Sequence, residues 1–305
     1  MPKTERWGKK FKDKREWVVY NAKLIKRGEW FFDFSFLESI SQELKKMNKN
    51  KVGSPYKYTN SFIEFESKLQ PYFDYRSLQG MCESISEKIS GFPVNNYTTA
   101  CRRINDLTLS LPEIDFDKPI FVGNDGSGIK VSNRGEWMRQ KWQVRRGWIK
   151  AVITLDVESK KILDIEVFEK GDSEPDIFER HINGLVRQGV QIRKACADGA
   201  HDKRKLFNAL EKHKIEQAIK IRSNASTKAR GSASRAREVR KFKELGYELW
   251  AKEKEYGMRW ATEGKFSCVK RKFGEFVRSS KKKNMIEEAR RKFVLYERMM
   301  AYAEG

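Results

Sequence analysis

Residues 148–170 read WIKAVITLDVESKKILDIEVFEK. Apolar residues alternate or run together on both sides of ESKK, and Val and Ile are frequent. The stretch therefore predicts two strands joined by a hairpin-like turn. Upstream, PIFVGND (119–125) predicts another strand, and GIKVS (128–132) continues it after a glycine-containing bend. Downstream, PDIFERHINGLVRQG (175–189) predicts a helix with Pro175 early in it and Gly189 at its end. IRKACADG (192–199) predicts a short buried strand ending in Asp-Gly. KRKLFNALEKHK (203–214) predicts a helix, and EQAIKI (216–221) a strand.

Three strands, a helix, a strand, a helix, a strand and a late helix bearing a carboxylate form the order of an RNase H-like α/β fold with a mixed sheet, α+β across the whole chain. The first 112 residues have a different texture. SFLESISQELKKM (35–47) spaces Phe36, Leu37, Ile40, Leu44 and Met47 as a helix does, with Ser35 as N-cap. NSFIEFESKLQPYF (60–73) is a second helix candidate. RSLQGMCESISEKIS (76–90) then sets Leu78, Met81, Ile85 and Ile89 on one face, GFPVNN (91–96) turns, and YTTACRRINDL (97–107) resumes. LPEIDFDKP (111–119) breaks the pattern, which divides the chain into a helical domain, 1–112, and a catalytic-type domain, 113–305. Two short helices around a Gly/Pro/Asn turn near 77–108 fit a helix-turn-helix, with Asn95, Thr98, Thr99, Arg102 and Arg103 toward DNA. They fit an ordinary helical hairpin with a solvated basic face equally well.

The chain of 305 residues carries 64 Lys+Arg against 42 Asp+Glu, a formal net charge of +22, while 39% of its residues are apolar. A folded protein with this excess expects a polyanion partner. The alternative is a basic protein that is merely soluble or ribosome-associated. Residues 220–243, KIRSNASTKARGSASRAREVRKFK, concentrate nine Lys/Arg against the single acid Glu238. They read as a basic loop for the DNA backbone, with Arg222, Arg230, Arg235 and Arg237 as candidate contacts; a solvated surface loop is the other reading. Cys82, Cys101, Cys196 and Cys268 form no CxxC pair, and with His181, His201 and His213 they give no zinc spacing. Reduced cysteines, no apolar run near ~20 residues and no apolar leader lead to the expectation of a cytoplasmic protein that does not enter membranes.

The sharpest chemical signal is YGMRWATEGKFSCVK (256–270). On one helix Tyr256, Arg259, Glu263 and Lys270 fall within about 60° of one another at 100° per residue. A carboxylate flanked by two cations and a phenol suits a site that holds a divalent metal beside a phosphodiester. Two further acids fit the same site. Asp125, in NDGSG, follows a strand, and Asp198 ends the strand KACA before Gly199. Acids from two strand ends and a covering helix converge on two Mg²⁺ ions about 4 Å apart. Asp-Gly is also a common turn pair, so each Asp alone says little. Asp156, Asp164 and Asp202 are weaker candidates, and helix capping suffices for Asp172 and Asp176.

These blocks, together with VGNDGSGIKVSNRGEW, ADGAHD and KIRSNA, resemble the DDE transposases of bacterial and archaeal insertion sequences, the group numbered five and its relative numbered four. The resemblance covers essentially the catalytic half, and the Tyr-Arg-Glu-Lys spacing that marks the family is complete. It implies Asp125, Asp198 and Glu263 as the DDE triad and metal ligands. It also implies that Tyr256, Arg259 and Lys270 support Glu263 and hold DNA near the point of cleavage. Where relatives carry a run such as Asp-Ser-Thr-Gly at the first acid, this chain has NDGSG. NNYTTACRRI looks like the helix-turn-helix segment of relatives. Trp260 stacks on an unpaired base at the cleaved end or packs in the core; both readings stand.

The expectation is an enzyme that binds the terminal inverted repeats of its element and cuts and joins DNA with Mg²⁺, or Mn²⁺ in its place. It would act as a homodimer on double-stranded DNA, both element ends and target, in a prokaryotic nucleoid. Another RNase H-like nuclease that cuts without joining, or a transposon-derived protein that only binds DNA, are the other classes.

Overall fold

The computed structural model describes residues 5–6, 9–10, 13, 15–132, 147–169, 171 and 173–305, with side chains from residue 13 onward. Most of the N-terminal segment, the run 133–146 and Asp172 therefore lie outside the described residues.

Five strands build the central sheet: β1 (Ile120–Val131), β2 (Trp148–Asp156), β3 (Ile162–Phe168), β4 (Ile192–Ala197) and β5 (Glu216–Ile219). Their order is β3-β2-β1-β4-β5; β2 runs antiparallel to both neighbours, and β4 and β5 run parallel to β1. That is the mixed RNase H-like sheet expected from the order of elements. A short sixth strand, β6 (Phe276–Val277), pairs with Lys130 and Val131 at the far end of β1.

The expected bend in the first strand is absent. No bend separates PIFVGND from GIKVS: β1 is continuous over twelve residues, because β2 pairs with it from Val122 to Lys130 and carries the glycines along. Asp125 thus lies inside a strand, not after one. On the other edge, β4 pairs only with Ile120–Gly123 and β6 only with Lys130–Val131, which leaves a gap opposite Asp125.

Helices cover both faces. On one side α6 (Glu174–Arg187), α7 (Arg204–Lys212) and the start of α8 (Ala233–Glu253) bury Phe178, Ile182, Phe207, Leu210 and Val239 against Val122 and Ala195. On the other, α9 (Trp260–Phe273) and the C-terminal α10 (Lys282–Tyr302) bury Phe266, Val269, Phe293 and Leu295 against Phe121, Ile153 and Cys196. A Cβ on Gly123 would lie 2.8 Å from Val157 Cγ1 and 3.1 Å from Thr262 Cγ2. Only glycine lets α9 approach β1 this closely.

The N-terminal half is α1 (Trp17–Glu29), α2 (Phe36–Asn48), α3 (Asn60–Leu69), α4 (Tyr75–Ser86) and α5 (Tyr97–Asp106). Phe36, Phe62, Phe65 and Phe92 form its aromatic centre. Ser35 occupies the N-cap position of α2 without a capping side-chain bond, whereas Thr59, Asp74 and Asn96 cap α3, α4 and α5. Residues 87–96 link α4 to α5, longer than the tight three-to-four-residue turn of many helix-turn-helix units. Asn95, expected to face DNA, is instead 1% exposed and donates from Nδ2 to Glu66 Oε2 at 2.8 Å.

Packing continues across the helix-to-sheet transition. Trp30 and Leu109 are buried in the same apolar cluster as β2 and α10, and Arg291 on α10 donates to the carbonyl of Ile104. Among the described residues, no helix is long and apolar enough to cross a membrane. The four cysteines are free thiols.

Candidate active site

Asp198 stands where the sequence places it, directly after β4, and caps the 3₁₀ turn Gly199–His201 by accepting from Ala200 N at 2.9 Å. Asp125 lies on the adjacent strand opposite the end of β4, and Glu263 lies in the first turn of α9, which covers the gap. The geometry of the Tyr-Arg-Glu-Lys run differs from a single helical face. Glu255 is left-handed at φ 54°, and Tyr256–Arg259 form a 3₁₀ turn before α9 begins. Residues three apart eclipse in a 3₁₀ turn, so Tyr256 and Arg259 still face one side. The turn is fixed to β4: Glu255 accepts from Lys194 Nζ at 2.7 Å and from Arg193 Nη1 at 3.4 Å.

Arg259 joins the acids. Its Nη1 donates to Asp125 Oδ2 at 3.1 Å, and its Nη2 donates to Glu263 Oε1. The guanidinium is 6.0 Å from the Tyr256 ring, which is buried against Trp250 at 5.2 Å. Tyr256 therefore supports Arg259 from the core. Lys270 Nζ donates to Ser127 Oγ at 2.8 Å and to the Gly128 carbonyl at 2.9 Å, tying α9 to β1. Asp125, Ser127, Glu263, Phe266, Lys270 and Arg271 line one cleft of about 590 Å³. Trp260 opens α9 and is 65% exposed, so it is not a core residue.

The two aspartates are held differently. Burial pushes Asp125 above the usual carboxylate range, opposed by the Gly126 N–H and Arg259; Asp198 and Glu174 push the same way as burial. The hydrogen bond from His201 pulls Asp198 below that range, against burial. Glu174, paired with Lys150, fills the space beside Gly126, where a Cβ would lie 2.6 Å from Glu174 Oε2.

Three carboxylates are the hard oxygen donors that Mg²⁺ and Mn²⁺ take. Among the described residues, no three His, Cys, Asp or Glu side chains are gathered closely enough to hold one ion. Between Asp125 and Glu263 the cation present is Arg259 itself, so both acids already point at a shared positive charge. A divalent cation between Asp125 and Glu263 would have to displace Arg259 from one of these bonds.

The basic segment 220–243 divides. Residues 220–232 are irregular, but from Ala233 the chain is α8, because Ser232 caps a helix there. Arg222, itself exposed, donates from Nε to the Gly199 carbonyl at 2.8 Å and from Nη2 to that of Ala200 at 3.0 Å. Arg235 grips Asp202 through two bonds of 2.5 and 2.9 Å, and Arg237 pairs with Glu211. Arg230 is exposed, with φ 45°. In the helical half, Thr99, Arg102 and Arg103 line a cleft of about 800 Å³ with Lys51, Tyr56 and Lys57. Arg103 is anchored there to Asn60 Oδ1 at 2.8 Å and lies 4.9 Å over the Tyr56 ring. Sequence reading missed the 51–57 side of this cleft, which carries no periodic signal. It also missed Asn124 and His201, although both stand within the blocks NDGSG and ADGAHD.

Comparison with known proteins gives a family model described as "Transposase DDE domain" over residues 118–292, more than half of the chain, and a second model of the same description over residues 25–134. Among solved structures, similarity extends to the Drosophila P element transposase strand transfer complex, at 13% identity and TM-score 0.36 over 63% of this chain and 47% of that one. It extends also to the piggyBac transposase synaptic complex with hairpin DNA, at 10% identity and TM-score 0.26, over 67% and 51%. The Mos1 strand transfer complex matches at 8% identity and TM-score 0.25, over 75% and 82%. The chain spans about half the length of the first two.

Proposed function

Because this chain belongs to the transposase DDE domain family, we propose that it is a transposase that binds the terminal inverted repeats of an insertion sequence, cleaves DNA there and joins the freed ends to target DNA. The observation that carries the reading is the linkage of Asp125 and Glu263 through one guanidinium, with Asp198 closing the adjacent strand.

In this reading Asp125, Asp198 and Glu263 hold two divalent cations, Mg²⁺ or Mn²⁺. The chemistry such cations supply is activation of the attacking oxygen and neutralisation of charge on the leaving oxygen. The remaining work falls to side chains. Arg259 changes partner, from the carboxylates to a phosphate oxygen of the bound strand, for which its planar fork is suited. Lys270, half-buried on α9 and bonded to β1, holds the wall of the cleft and adds positive charge next to the phosphodiester. Exposed Trp260 offers a stacking face beside Glu263. Attack by water or a 3′-hydroxyl needs no protein nucleophile. The cleft around Thr99, Arg102 and Arg103, with Lys51 and Lys57, and the exposed Arg230 supply backbone contacts for double-stranded DNA. Holding two ends at once calls for a homodimer on DNA, and DNA as substrate calls for residence with the nucleoid.

The test is a plasmid assay with the element's own flanking repeats, Mg²⁺ and protein, wild type beside Glu263→Gln. Joined donor-to-target product from wild type alone is expected. Cleavage without joining would replace the reading with a nuclease, and end binding without cleavage by either protein would replace it with a DNA-binding protein.

A further inference from the structure

His201 is wholly buried, and both of its ring nitrogens are engaged. Nδ1 lies 2.7 Å from Asp198 Oδ1, and Nε2 lies 2.9 Å from Asn124 Oδ1. The Asn124 amide is oriented by its other end, since Nδ2 donates to the Ile153 carbonyl at 3.0 Å and to Thr154 Oγ1 at 2.9 Å. A carbonyl only accepts, so the NH₂ group must face β2 and the oxygen must face His201. Phe178 on α6 closes over the imidazole, its ring 5.9 Å away and perpendicular. The result is one chain of bonds crossing three strands: Asp198 after β4, His201, Asn124 on β1, then Thr154 on β2.

Two members of this chain border the site. Asn124 immediately precedes Asp125, and Asp198 is the second acid. At Asp198 the division of oxygens is uneven. Oδ1 receives both the Ala200 N–H at 2.9 Å and the His201 contact. No hydrogen bond from the described residues reaches Oδ2, and the side chain is 43% exposed. One oxygen is clamped by two bonds, the other by none from the described residues. A carboxylate on a free single bond loses rotamer freedom when it takes up a ligand; a clamped one has already lost it.

We propose that His201 is a positioning residue. With Asn124 it braces the end of β4 against β1, fixing the Asp198 carboxylate so that Oδ2 faces a divalent cation at a set separation from Asp125. Ligand-orienting partners of this kind contribute about 10–100-fold in metal affinity or activity. The proposal rests on the reading of Asp198 as a metal ligand given above.

The test measures Mn²⁺ affinity by electron paramagnetic resonance and, separately, cleavage of end DNA. It compares wild type, Asp198→Asn, His201→Phe, His201→Gln and Thr154→Val. His201→Phe keeps the ring volume but removes both bonds; it is expected to weaken Mn²⁺ binding about 10–100-fold and slow cleavage at saturating DNA, with the KM for DNA within two-fold. His201→Gln, able to donate to Asp198, is expected to recover part of the affinity. Thr154→Val breaks the outer end, where Thr154 Oγ1 also meets His181 Nδ1 at 2.8 Å, and is expected to lose less than His201→Phe. Asn124→Ser, which removes the amide joining His201 to β1 and β2 but leaves the His201–Asp198 contact, takes the place of His201→Phe should the latter fail to fold, with a loss of Mn²⁺ affinity again expected. Lost affinity in Asp198→Asn with full affinity in His201→Phe would overturn the brace and leave the metal reading intact. Unchanged affinity in Asp198→Asn would overturn both.

Discussion

Arg222, Arg230, Arg235 and Arg237 look alike in the sequence, four arginines in one basic run. Their surroundings separate them. Asp202 has a fully buried side chain, and the Arg235 guanidinium satisfies both of its oxygens. Removing one partner of such a pair leaves a charge without solvent or counter-ion, which costs about 3–5 kcal/mol. Arg230 is exposed, where substitutions usually fall within about 0.5 kcal/mol. Arg235→Ala is thus expected to lower the denaturation midpoint sharply, and Arg230→Ala to leave it unchanged while flattening the salt dependence of DNA affinity. Equal midpoints for the two variants in urea titrations would show that the Arg235–Asp202 pair does not stabilise the fold. Tyr256 makes a similar point. A phenol beside two cations reads as a DNA contact, but its burial against Trp250 makes it a support for Arg259.

At the scale of elements, the contact between α3 and the start of α5 turns on Glu66. Burial raises its carboxyl to about 7, opposed by Asn95 and Arg103. In the unfolded chain the same group titrates near the ordinary Glu value of about 4.3. Between these values the folded state keeps a proton that the unfolded state has released, so stability falls as pH rises through this window and levels off above about 7. Glu66→Gln keeps an acceptor for Asn95 and removes the charge. The variant is expected to match wild type near pH 4 and to exceed it by up to about 3 kcal/mol at pH 8. Melting curves of the two proteins that run parallel from pH 4 to 8 would sink this account. The 3₁₀ turn before α9 is the other lesson at this scale. Spacing alone gave one continuous helix, because periodicity does not register the left-handed residue at Glu255. That residue is held by Lys194 and Arg193, which lie about sixty positions earlier in the chain.

Across the whole molecule, the two halves share a core. Trp30 is 4% exposed within the cluster formed by β2, α9 and α10, and Phe31 and Leu107 contact both this cluster and the aromatic centre of the helical half. Tyr72 packs on Phe273, with ring centroids 5.9 Å apart. Unfolding is therefore expected to be concerted. Trp30→Ala should cost about 3–5 kcal/mol and lower hydrogen-exchange protection of α3 and β2 together. Loss of protection in α3 with β2 unaffected would show two independent units.

Taken alone, the sequence determined the order of strands and helices from residue 113 to residue 221 and the alternation that buries the sheet faces, and it pointed to three dispersed acids; it gave no sign of α8, β6 or α10. Those features are local: strand and helix periodicities and turn residues are written within a few positions of one another. The tertiary structure decided what side chains far apart in the chain do to one another. It ran β1 straight through Asp125, because β2 supplies partners for the glycines. It turned Asn95 inward to Glu66, and it set Arg259 between Asp125 and Glu263. It also placed His201 between Asp198 and Asn124, 77 positions earlier in the chain. Such pairings depend on which elements become neighbours in space, and no local pattern encodes them.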